Sequence, residues 1–280
     1  MTESLIVERR EYPLGGVKTA EVELEVRAGS LAVTGGATEL CSADFAYSHV
    51  ELRPVDDYEQ DDNEAELGIS QPRTNDLEDT YSSWQLAVNS DVQIELAISI
   101  LSGNATLDLD HVQVSSVEVD SRSGSVEASL AGSYPALDEI VIDSVSGRSA
   151  LELSGEFAEL TTIEIDSKSG PIELAVTGTC PELKRIAVDS KSGPVSIDLR
   201  GSFQRDDLGV RVDSISGNVQ IRVQKDVGVS MNANTISGRV QAADFGGETG
   251  RLTNAAFGRS PATIWLNVHV TSGNIEVVSD

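Results

Sequence analysis

The stretch EIDSKSGPIELAVTG, Glu164 to Gly178, returns one line later as AVDSKSGPVSIDLRG, Ala187 to Gly201. Its core, Asp-Ser-x-Ser-Gly, occurs as DSRSG, DSVSG, DSKSG, DSKSG and DSISG. The closing glycines Gly124, Gly147, Gly170, Gly193 and Gly217 are spaced by 23, 23, 23 and 24 residues. Looser copies flank the run, ending at Gly103, Gly238 and Gly273. A second column keeps the interval at Gly132, Gly155, Gly178 and Gly201, each followed two positions on by Tyr134, Phe157, Cys180 or Phe203. A third is Leu137, Leu160, Leu183 and Leu208. Three columns in phase mark a repeat architecture.

Within a unit the apolar residues alternate. Ile163 and Ile165 precede the motif, and Ile172, Leu174 and Val176 follow it. Period two with β-branched residues predicts strand. The alternation slips by one across Ser169 and Gly170, which predicts a bend that glycine tolerates. A unit this small cannot bury its apolar face alone, so units must stack. The fold class that follows is all-β: a single parallel β-solenoid of about 23-residue coils, with essentially no α-helix.

The alternation also assigns the motif's side chains. Ser167 and Ser169 are expected to point inward with the isoleucines and to bond to one another up the stack. Asp120, Asp143, Asp166, Asp189 and Asp213 are expected to form an outward column. Carboxylates at rung spacing repel by about 1 kcal/mol even in water, and Arg122, Lys168 and Lys191, two positions on, are the expected counter-charges. Val145 and Ile215 break that cationic series. The expected structural corner and ladder is therefore Gly103, Gly124, Gly147, Gly170, Gly193, Gly217 and Gly238 with the five aspartates. A calcium ladder is the alternative; it is disfavoured because about 6–8 oxygens must converge on the ion.

The chain has 280 residues and a formal net charge of −26. That charge repels phosphate backbones and anionic headgroups, which argues against nucleic-acid and direct membrane-surface partners. Aromatics, at 4%, are too few for an aromatic-lined cofactor cleft. The start MTESLIVERREY has charges where a signal peptide needs an apolar run, and no stretch approaches a transmembrane helix. With only Cys41 and Cys180, no disulfide framework is expected, and the expected location is cytoplasmic.

Chemistry is hard to find. His49, His111 and His269 are far apart in sequence, without metal-ligand spacing. Alternation separates Lys168 from its neighbouring serines, against a Ser-Lys nucleophile. The glycines precede strands rather than helices, against a phosphate loop. Cys180 sits in an aromatic column, and Cys41 alternates with Ala43, Phe45 and Tyr47, so both are expected to be buried. No catalytic residue, cofactor or metal site is expected.

Residues 1–100 lack the pentapeptide but keep strand alternation, as in AEVELEVRAGSLAVTGG. They are expected to cap one end with irregular strands and two acidic surface loops, RPVDDYEQDDNEAE and SQPRTNDLEDTYSS. Residues 101–280 carry the repeat. With no linker between them, residues 1–280 read as one continuous domain.

The runs AEVELEVRAGSLAVTGGATEL, ADFAY and SSWQLAVNSDVQIELAISILSGNATLDLDHVQVSSVEVDSRSGSVEASL resemble the bacterial toast-rack domain. That domain is related to the C-terminal domain of LiaF-type cell-envelope stress proteins and to the adhesin β-strand repeat family. The resemblance covers about residues 17–240. It implies a non-enzymatic β-solenoid, often joined to transmembrane helices and linked with envelope-stress signalling, with no catalytic residues to carry over. The expected function is thus a non-catalytic interaction or scaffold module that binds a protein partner or itself. An adhesin-like surface protein is the alternative, and a polysaccharide-active β-helix enzyme the third.

Overall fold

The computed structural model describes residues 5–74, 80–248 and 250–280. Each central repeat contributes one strand to each of three sheets, of 13, 12 and four strands. In one unit these are Thr162–Ser167 in the first sheet, Ile172–Val176 in the second and Thr179–Cys180 in the third. Equivalent strands of consecutive units pair in parallel and in register. Ile140, Ile163, Ile186 and Val210 lie side by side, as do Leu151, Leu174, Ile197 and Ile221 in the facing sheet.

All these side chains are buried, in one hydrophobic cluster running from Tyr12 to Val277. Burying each contributes about 1.5–3 kcal/mol, which a single rung could not gain alone. The third sheet is narrow, and its inward column is Tyr134, Phe157, Cys180 and Phe203. The first two rings stack with centroids 5.0 Å apart and planes 4° from parallel. The tyrosine hydroxyl is satisfied by donating to the Leu109 carbonyl at 2.9 Å. Among the described residues the helical content is one 3-10 turn, Val50–Leu52.

The rungs do not follow chain order at the ends. Thr19–Val26 lies between Gln93–Ile100 and Glu64–Ser70, so the first coil is one rung inside the end. Gly29–Gly35 is likewise flanked by Gly103–Asp108 and Ser82–Val88. At the other end Thr263–Ser272 lies between Leu208–Ser216 and Gly228–Ser237. Ile275–Ser279 slots between Val219–Val223 and Val240–Gln241. Simple succession, the sequence expectation, holds only from residue 93 to residue 223. Alternation makes every rung fit every other, so it carries no information about order.

The N-terminal section is more regular than expected. Most of the first acidic stretch, Val55 onward, is a hairpin: Val55–Asp61 pairs antiparallel with Glu64–Ser70. Asp62, at φ 50°, forms the turn, a conformation that aspartate adopts more readily than most residues. The hairpin holds because Ala65, Leu67 and Ile69 face inward. The second acidic stretch falls partly at residues 75–79, outside the described residues.

Beyond the outermost parallel rung of the second sheet lie two antiparallel strands, Cys41–Tyr47 and then Ile6–Tyr12. They bury Phe45 edge-on to Trp84, with centroids 5.2 Å apart. Glu8 closes this end. It accepts from Arg10 at 2.9 Å, from Arg53 at 2.8 and 3.0 Å, and from the Tyr47 hydroxyl at 3.0 Å. Those donors, Arg53 foremost, hold its carboxyl down at about 2.

Candidate functional site

The corner between the first two sheets is built from glycine. Gly170 has φ +134°, and a Cβ there would sit 1.9 Å from the Gly147 carbonyl oxygen. No L side chain fits. The close approach lets the Gly170 amide donate to the Ser192 carbonyl at 2.9 Å, and the same bond links Gly147 to Ser169 and Gly193 to Ser216. Gly103, Gly124, Gly147, Gly193, Gly217 and Gly238 share the positive φ. The bonds run from Gly217 to Ser272 and from Gly273 to Ser237, following rung order rather than chain order.

The two serines of the motif part company here. The first of each pair, Ser121, Ser144, Ser167, Ser190 and Ser214, points inward and is buried. The second, such as Ser169, is exposed, because the backbone has already turned, and it serves through its carbonyl. Nor do the inward hydroxyls bond up the stack. Ser144 Oγ accepts from Ser149 Oγ at 3.0 Å, whereas those of Ser121, Ser167, Ser190 and Ser214 have no partner. Across the corner from Ser167 the residue is Ile172, which offers no polar atom.

The structure places Asp120, Asp143, Asp166, Asp189 and Asp213 side by side on the outer face of the first sheet. Partial burial, then the adjacent carboxylates, push Asp143 and Asp166 above the usual aspartate range. Asp189 is also raised, chiefly by burial, with Arg211 opposing. The counter-charge differs from the one expected. Arg211, two positions before the aspartate of its strand rather than two after, pairs with Asp213 and reaches Asp189 at 3.7 Å. Arg122, Lys168 and Lys191 make no ion pair among the described residues, although Lys168 does lower Asp143 through space.

Those basic side chains form the far wall of an open groove of about 980 Å³ that follows the column. Val145 and Ile215 share that wall and are exposed. One wall is thus carboxylate, and the other mixes three basic with two apolar side chains, in the rung order Arg122, Val145, Lys168, Lys191 and Ile215. His269 and Thr271 extend the groove at one end, and Glu25, Arg27 and Ser99 at the other. His269 pairs in register with Asp213. Sequence reasoning missed this place, although the loose copy HVTSG puts His269 in the Asp position of the motif.

The remaining reactive groups are not assembled. His111 is exposed in a turn, and His49 Nδ1 lies 2.7 Å from Ser48 Oγ. Burial raises the Cys41 and Cys180 thiols to about 12, too high for thiolate chemistry. Among the described residues, no group of three or more His, Cys, Asp or Glu side chains could hold a metal ion. No helix among them is long and apolar enough to cross a membrane.

A stacked parallel β-coil with glycine corners and an outer carboxylate column defines the class: a repeat-built β-solenoid. This chain belongs to the family described as the N-terminal domain of toast_rack, DUF2154, whose model matches residues 2–144. A comparison with curated proteins finds no match. Among solved structures, a candidate adhesin from Bacteroides fragilis is 12% identical with a TM-score of 0.44, covering 99% of this chain and 98% of that one. A candidate cell adhesion protein from Clostridium sporogenes is 18% identical with a TM-score of 0.39, covering 99% and 100%. Likeness at this level carries no inference about what this chain binds.

Proposed function

We propose that the protein is a non-catalytic interaction module whose groove along the aspartate column receives an extended, basic segment of a partner protein. One observation carries the reading: crowded carboxylates in register face a wall of mixed basic and exposed apolar side chains. An extended peptide repeats every two residues, so it can place lysine or arginine against the aspartates while its apolar residues meet Val145 and Ile215. Bound cations would relieve the repulsion that adds to burial in raising Asp143 and Asp166. Membership of the toast_rack family supports regulatory or scaffold work in cell-envelope stress as the setting.

The test is fluorescence anisotropy with a labelled peptide of alternating lysine and valine. Binding should weaken steeply with salt and fall at least about tenfold in the triple variant Asp143→Asn, Asp166→Asn, Asp189→Asn. Equal binding by this variant and the native protein would sink the proposal. Release of reducing sugar from a polysaccharide panel, abolished in that variant, would favour the β-helix enzyme instead.

A further inference from the structure

The two ends of the coil are finished differently. At the end near the N-terminus, the outermost strand of the first sheet is Val55–Asp61. Among the described residues it is paired on one side only, and it carries Asp56, Asp57, Glu59 and Asp61. At the other end the outermost parallel rung is Gly228–Ser237. A short hairpin, Phe245–Glu248 with Arg251–Asn254, covers it only at Ser230 and Met231. Among the described residues, no strand pairs with the outer edge from Asn232 to Ser237. This edge carries no acidic residue, Ile236 is 73% exposed, and Arg239 follows with no ion pair among the described residues. Arg251 and Arg259 are exposed nearby on the same capping segment, against one exposed acid among its described side chains, Asp244.

We propose that this open edge docks onto the acidic edge strand of a second copy, joining coils end to end. The polarity is right. Val55–Asp61 runs against Glu64–Ser70, which is parallel to every rung up to Gly228–Ser237. A copy stacked along the coil axis therefore presents Val55–Asp61 antiparallel to Asn232–Ser237, and antiparallel strands pair readily. The charge is also right. In a chain of net charge −26, side-by-side contact repels and two acidic ends repel, whereas an acidic edge on an arginine-bearing end attracts. The contact is heterologous and does not close on itself, so it yields open chains of molecules. The inference deepens the reading of the protein as an interaction module by naming a second copy as a partner, at a place apart from the groove.

Sedimentation velocity across a concentration series tests it. The native protein should form concentration-dependent linear oligomers that dissociate as salt rises from about 50 mM to about 500 mM. Ile236→Asp with Arg239→Glu blocks one end, and Asp57→Lys with Glu59→Lys blocks the other. All four side chains are exposed, none makes an ion pair among the described residues, and matching thermal melts will show that each variant folds. Each variant alone should be monomeric, and an equimolar mixture should stop at a one-to-one dimer. Three outcomes overturn the junction: a native protein monomeric throughout, oligomers from either variant alone, or a mixture that stays monomeric. A monomer that still binds the basic peptide leaves the groove standing and removes only the junction.

Discussion

The two ends of the coil solve one problem in different ways. Any solenoid finishes in a rung with unpaired backbone groups on one side. Near the N-terminus, the second sheet adds two antiparallel strands and a plug in which Trp84 and Phe45 are fully buried. Glu8 is tied there to two arginines and a tyrosine. At the far end the core tapers, with Ala233 and Thr235 at positions where the next rung has Val268 and Val270. Only a hairpin steadies it, pinned by the Arg251 guanidinium, which lies 5.2 Å from both the Phe257 and Trp265 rings. Packing seals the second sheet near the N-terminus, whereas Val55–Asp61 in the first sheet there and Asn232–Ser237 at the far end keep spare hydrogen-bonding capacity. In a repeat protein the sequence of the end units, more than that of the interior, decides where association can occur.

Mutations can break or sharpen this contrast. The largest effect belongs to the sealed end: Trp84→Ala should cost about 3–5 kcal/mol in urea unfolding. Gly170→Ala, at an interior corner, should cost at least about 2 kcal/mol, since the backbone it strikes cannot move without its neighbours. Gly238→Ala meets the Gly273 carbonyl as closely, at 1.9 Å, but on the outermost rung. It should cost markedly less, and an equal loss would show that the open end is as rigid as the interior.

Acidity gives a subtler readout. Asp143, Asp166 and Asp189 are raised in the folded state. Their ionisation therefore opposes folding at neutral pH, and that penalty fades as pH falls through their folded pKa towards the unfolded value. Glu8 works the other way, its contribution being lost as pH falls from the ordinary glutamate range to about 2. Asp166→Asn should thus raise the melting temperature at pH 7, and the gain should vanish near pH 4. A gain independent of pH would show that crowding of charge is not its source. Smallest of all, Ser167→Ala removes a buried hydroxyl without a partner. It should be neutral or stabilising by up to about 1 kcal/mol, measured by urea unfolding.

Much of this was legible in the sequence because a stacked coil repeats its chemistry at a fixed interval. The glycine corners, the aspartate column and the buried Tyr134, Phe157, Cys180 and Phe203 all follow from residues recurring in phase. Three things were not. The fate of each serine turns on where the backbone bends, which alternation within a strand does not say. The acidic hairpin at Val55–Ser70 looked like a loop because its outer strand, exposed everywhere but at Tyr58, keeps no alternating apolar signature. Rung order was invisible because pairing between coils is generic. For the groove, this hid the contribution of His269 beside Asp213.

The placement of the first and last coils one step in from each end has a consequence for synthesis and for proteolysis. The segment 19–35 cannot gain its second neighbour until residues 93–108 have left the ribosome, so assembly must wait for the middle of the chain and close around both tails. Loss of residues 263–279 would not trim the stack; it would pull a layer from beneath the outermost one and set residues 228–241 adrift.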